Sequence, residues 1–235
     1  MHKRLILMLA VAALSLPLAS HAAAPTMAVN DFSNNVTGVY WWNQGVGRDL
    51  AGMLTNELAS SGAFDMVERE KLDAILDEQD LGSSGRVEPS TAAKVGKMVG
   101  AQYIVTGTVT AFEESGGKGG GIGFRGIRVG GKKKETYLAV DIRVVDSTTG
   151  RVAFTRTVEA RSEAKGIAVG VYRGGFGGNL EKEQNTPAGK AIRAMVIETA
   201  EYLECAMVTQ GSCMAEYDAK EQKRRDSAKD AIKID

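Results

Sequence analysis

The stretch GGGIGFRGIRVGGKKKETYLAVDIRVV, residues 119–145, holds the pattern G-x-G-x-x-G in Gly121, Gly123 and Gly126. Such glycines let a backbone approach a pyrophosphate, but only where they join a strand to a helix whose N-terminus faces the phosphates. Here the chain turns and reads as another strand. The segment from Gly126 through Gly131 and Lys132 approaches a P-loop, yet Lys133 stands where Ser or Thr must hold magnesium. Nucleotide binding is not expected. The glycines fit a hairpin with tight turns and close packing, or a surface loop with Lys132 to Lys134 in a solvated turn.

Other candidates for chemistry also thin out on inspection. Glu113 and Glu114 are neighbours in a strand, so their carboxylates point to opposite faces. With Asp77 and Glu78 they read as charged surface. His2 and His21 are the only histidines, and both lie in the apolar leader described below. A chain without them has no His for a triad, a general base or a metal site. No catalytic, cofactor or metal residue is assigned, and no enzyme is expected. Cys205 and Cys213 are the only cysteines. In an exported chain a disulfide is the first reading, ahead of a reactive thiol pair or half a metal site.

Export is expected from the first residues. Lys3 and Arg4 precede an apolar run from Leu5 to Leu18, and Ser20-His21-Ala22 gives small residues at minus three and minus one. Residues 1–22 are read as a signal peptide. Ala23, Ala24 and Pro25 follow, so the cysteine that would carry a lipid anchor is missing. Without Lys3 and Arg4 the 29 basic residues fall to 27 against 29 acidic, a net of minus two. That balance argues against a nucleic-acid partner.

The elements that carry these residues follow from periodicity. TMAVNDF (26–32) reads as a strand, with the aromatics Tyr40, Trp41 and Trp42 beyond a polar turn. Val46, Leu50, Met53, Leu54 and Leu58 recur at helical spacing before Gly62, giving a core helix over 45–60. AFDMVER is a short strand, and Leu72, Ile75 and Leu76 mark a helix over 69–80. Ser90 is a cap for a third helix burying Val95, Met98 and Val99. Three long β-branched strands follow, 101–114, 136–146 and 151–163. A helix from Thr186 to Gly211 has Ile192, Val196, Ala200, Leu203 and Met207 as its inner stripe. Residues 214–235 are a charged tail, a solvated helix or disorder that adds little stability.

The fold class is therefore α/β, or layered α+β: a mixed sheet flanked by helices over residues 23–213. Two glycine-rich hairpins protrude from it, at 115–135 and 164–185. Alternation puts Ile122, Phe124, Leu138, Val140 and Ile142 on an apolar face in the first. Ile167, Val169 and Val171, then Phe176 and Leu180, do so in the second. If these arms cross a bilayer as barrel strands, those positions face lipid.

Several stretches together resemble the CsgG/HfaB family, the curli-type outer-membrane secretion components. They are MAVNDFSNNVTG (27–38), GAFDMVEREKLDAILDEQDL (62–81), GAQYIVTGTVT (100–110), AVDIRVVDSTTGRV (139–152) and AIRAMVIETAEYL (191–203). The resemblance implies a non-enzymatic channel component whose periplasmic domain forms a homo-oligomeric ring, each subunit giving two hairpins to one outer-membrane barrel. Secreted protein subunits or other envelope proteins are the implied partners. The family narrows its channel with a loop after the first strand, which by position makes Tyr40, Trp41, Trp42 and Asn43 candidates here. The other reading is a soluble periplasmic adaptor, similar to the activator LpoB or the TolB N-terminal domain, without a pore.

Overall fold

A computed structural model describes residues 23–116, 122–124, 127–129, 134–163, 180 and 185–231. The first strand, β1 (Thr26–Val29), lies between two parallel neighbours, β3 (Asp65–Met66) and β4 (Tyr103–Gly116). A two-residue strand, β2 (Ser33–Asn34), continues along β4. β7 (Lys134–Asp146) runs antiparallel to β4, and β8 (Val152–Glu163) antiparallel to β7. The result is a six-stranded mixed sheet in the order β3-β1-β4-β7-β8, with β2 beside β4. In the first glycine-rich stretch β5 (Ile122–Phe124) and β6 (Ile127–Val129) pair antiparallel as a separate two-stranded sheet.

Four α-helices are present among the described residues: α1 (Val46–Ser61), α2 (Leu72–Ser83), α3 (Pro187–Glu204) and α4 (Ser212–Ala231). α1 packs on β1 and β3, α3 on β7 and β8, and the two helices touch each other. They therefore share one face of the sheet. The spacing that predicts α1 is the spacing that buries Val46, Leu50, Met53, Leu54 and Leu58, and Gly62 ends the helix at φ +69°. Thr186 caps α3 by accepting a hydrogen bond from Gly189 N at 3.0 Å, with Pro187 in the first turn.

Residues of one parity in each strand meet these helices. Met27 and Val29, Val105 and Val109, Val158 and Ala160 enter the core. So do Leu138, Val140, Ile142 and Val144 of β7, all essentially inaccessible. This corrects the reading of Leu138, Val140 and Ile142 as lipid-facing. Alternation reports that one side of a strand is apolar, and α3 covers that side. Leu180 is likewise buried in the core rather than turned outward. Ile122 and Phe124 occupy β5, while Ile167, Val169 and Val171 lie outside the described residues.

The third helix expected after Ser90 does not form. Residues 84–102 are turns and irregular chain, Gly96 takes φ +76°, and among the described residues no strand or helix packs closely on α2. A left-handed residue inside the expected helix breaks its hydrogen-bond ladder. Val95 and Val99 are then 64% and 55% exposed instead of buried, and Met98, Leu76 and Leu81 are exposed with them.

The tail also departs from expectation. It is a helix, as one reading held, but it begins at Ser212 and docks: Tyr217 is buried against the core.

Candidate functional site

The loop between β1 and α1 is built around Phe32. Its N–H donates to Gly47 O at 3.0 Å, and its ring lies over Gly107 of β4. A Cβ at Gly107 would strike that ring, and one at Gly47 would strike the Phe32 carbonyl. Asn30 N to Val105 O at 2.9 Å and Asn35 N to Val109 O at 3.0 Å then tie the loop along β4. Asn34 closes the turn with hydrogen bonds to and from Val36. The stretch 27–38 thus anchors α1 to the sheet.

Beyond it the aromatic cluster divides. Trp41 is buried against Phe112, ring centroids 5.4 Å apart, and its Nε1–H meets no acceptor among the described residues. It fills the edge of the core and is not free to line a channel. Tyr40 is 59% exposed, packs edge-on to Phe112, and donates to Glu114 Oε1 at 3.0 Å. Glu114 also faces Thr136 Oγ1 at 3.5 Å. Trp42 is half-buried and Asn43 exposed, and they help line a groove of about 430 Å³ with Asn34, Gln44, Arg48 and Asp31. Three of the four loop candidates therefore remain available to a partner. On the other side of the loop a cleft of about 460 Å³ opens at the carboxyl ends of β1 and β3, between Asn30, Asp31, Thr55, Asn56 and the charged run Glu68 to Lys71.

The second surface is the excursion from β3 to β4. Ala93 crosses α2 at Gly82, where a Cβ would approach the Ala93 carbonyl to 2.9 Å. Gln79 is the buried residue of α2, Leu72 and Ile75 are half-buried, and Leu76 and Leu81 are exposed.

The third place has a signal in the sequence that was not read. Arg156 shares the inward parity of Phe154 and Val158 on β8, an odd place for a charge. Its guanidinium lies 4.9 Å from the ring centroids of both Tyr202 and Tyr217 and donates from Nη2 to Tyr217 O at 2.8 Å. Lys220 Nζ reaches Glu198 at 3.1 Å and Glu216 at 3.2 Å. Cys205 and Cys213 are bridged, Cα atoms 6.1 Å apart, between a π-helical turn (Cys205–Thr209) and the start of α4.

Burial pushes the Tyr217 phenol up to about 12, helped by the carboxylates of Glu198 and Glu201. Burial also lifts Tyr137 to about 12, with its hydrogen bond to Glu159 adding to the shift. A raised folded pKa contributes stability that is whole below the unfolded value of about 10 and is lost as pH rises toward 12. Glu221 runs the other way: the Arg224 hydrogen bond holds it down to about 2, so its contribution is present above about 4.5 and fades as pH falls toward 2. Burial raises the Tyr202 phenol as well, so absorbance at 295 nm during alkaline titration should show Tyr137, Tyr202 and Tyr217, three of the six tyrosines, ionising late, together with loss of structure. Ionisation of all six near 10 would contradict this environment.

Tied loop, exposed apolar excursion and clamped C-terminal helix together describe a mixed α+β module with a six-stranded sheet. The chain belongs to the family described as the curli production assembly/transport component CsgG, whose model matches residues 12–232. Membership fits an envelope-associated module. No curated protein sequence matches the chain. Among solved structures, the hypothetical protein CT253 from Chlamydia trachomatis is 14% identical with a TM-score of 0.47, over 80% of this chain and 100% of that one. A PelC dodecamer from Paraburkholderia phytofirmans is 16% identical with a TM-score of 0.35, over 75% and 89%. The LpoB C-terminal domain from Salmonella enterica is 19% identical with a TM-score of 0.31, over 60% and 85%.

Proposed function

We propose that this protein is a non-enzymatic, self-assembling component of an outer-membrane secretion channel, exported by its leader and working from the periplasmic face. One observation carries the assembly half of this reading. Leu76, Leu81, Val95, Met98 and Val99 are exposed on one excursion, and among the described residues no strand or helix packs closely on α2. Exposed apolar side chains on one excursion support an interface, and a second copy of the chain is the occupant that suits a family of assembly components. The channel half rests on family membership and on the ladder between β4 and β7, which runs on to Gly116 opposite Lys134 before the glycine-rich stretch begins. In this reading Tyr40, Trp42 and Asn43 edge the passage, the two inserts supply barrel strands, and Ile122, Phe124, Ile167, Val169 and Val171 face lipid.

The soluble adaptor has an observation of its own. β5 and β6 are three residues each, against the roughly 9 to 11 that a strand needs to cross a bilayer. In that reading the same excursion docks an envelope protein and no pore exists.

Membrane fractionation and native mass of the full chain, expressed with its leader, separate the two. A detergent-requiring ring that conducts in a planar bilayer supports the channel, whereas a soluble monomer without conductance means the adaptor. Val95→Asp with Met98→Asp and Val99→Asp is expected to leave the circular dichroism unchanged, since these side chains are already exposed, and to reduce the ring to monomers. A ring that survives the triple variant removes the excursion from the interface.

A further inference from the structure

α4 holds to the domain by very little. Tyr217 is its one buried side chain among the described residues, and 225–231 are exposed throughout. The attachments fall in one short zone: Arg156 between Tyr202 and Tyr217, the two rings edge-on at 5.3 Å, and Lys220 on Glu198. From there the helix passes the β8 edge. A groove of about 190 Å³ separates Arg156 to Glu159 from Lys220, Glu221 and Arg224, and Arg224 is near enough to Glu159 and Asp141 to feel their charge. β8 ends the sheet among the described residues, and α4 runs beside it across this groove.

The reversal that brings α4 there is unusual. A π-helical turn ends α3, Gln210 takes φ +52°, Gly211 takes φ +79°, and Gln210 N returns to Cys205 O at 2.7 Å. A left-handed non-glycine residue persists only where its surroundings hold it. Here the holding link is covalent, because Cys205 and Cys213 close the turn four residues before Tyr217.

We propose that α4 is a latch beside β8 locked by this disulfide, and that reduction by a dithiol releases it and uncovers Arg156 and Tyr202. One thiolate of the dithiol attacks Sγ of Cys213, the less buried partner, and Cys205 leaves as a thiolate. The second thiol of the reagent then displaces Cys213. Two electrons and two protons pass to the protein, which ends as two thiols while the reagent ends as a disulfide. The latch holds for a channel subunit and an adaptor alike.

Hydrogen exchange of the full chain, oxidised and then reduced and alkylated, tests this. The loop-closure model gives roughly 10- to 100-fold faster exchange in 212–221 after reduction, with α1, β4 and β7 unchanged. Cys205→Ser with Cys213→Ser should reproduce the reduced pattern without reagent. Tyr217→Ala keeps the disulfide and should loosen α4 alone, which shows whether the clamp and the lock act on the same element. The tyrosine titration gives a second readout: in the reduced protein Tyr202 and Tyr217 should both return toward the ordinary phenol range while Tyr137 stays raised. Equal exchange in both redox states would reduce the bridge to a passive staple, and faster exchange across the whole sheet would make it a global brace. Either result overturns the latch.

Discussion

Val140→Arg is expected to unfold the domain. Val140 is fully inaccessible, lies opposite Val109 and Val158 in the ladders, and faces α3 from the middle of the sheet. A guanidinium there has no carboxylate on its face of β7, whose neighbours two residues away are Leu138 and Ile142. Burying an unpaired charge costs several kcal/mol, about 4 or more in the tail of measured substitutions, against a total stability of roughly 5 to 15. The measurement is the denaturant midpoint with far-UV circular dichroism of the purified protein. A variant that stays folded but leaves the membrane would return Val140 to the lipid face, and the core described here would be wrong. Val140→Ala is the graded control, with a smaller loss set by the cavity left behind.

Gly47→Ala should cost about 3 kcal/mol, at the upper end of ordinary overpacking, although alanine is the better helix former. The reason is the Phe32 carbonyl, which occupies the place where the new methyl would go. Gly107→Ala meets the Phe32 ring instead, and a side chain can be changed where a backbone cannot. The two positions therefore separate in a double-mutant cycle. Phe32→Val removes every ring atom that a Gly107 methyl would meet, so Gly107→Ala with Phe32→Val should cost clearly less than the sum of the single changes. Gly47→Ala with Phe32→Val should cost the sum, because the carbonyl remains. Chemical denaturation of the five variants and the parent decides it, and equal coupling in both pairs would refute the packing of this loop.

The family was legible because its stretches are the ones that build the sheet and its anchors. Residues 27–38 tie β1 to β4 and α1, and 139–152 run from the middle of β7 into β8. α1, α3 and the three long strands were legible because their side chains answer to local periods of 3.6 and 2. The disulfide was legible from two cysteines in a chain read as exported.

What covers each apolar face was decided only in three dimensions. The alternation in β7 fits lipid or a helix equally well, and the position of α3 makes Leu138, Val140 and Ile142 core. The same holds in reverse for Val95, Met98 and Val99, which have the composition of a buried helix and lie exposed because Gly96 breaks the ladder and the chain stays irregular there. The tail's low apolar content gave no sign of docking, since its hold comes from one tyrosine, an arginine sixty-one residues away in sequence and a covalent link. Local sequence fixes which elements form and which face of each is apolar. The partner of that face is a long-range contact, and only the closed fold chooses it.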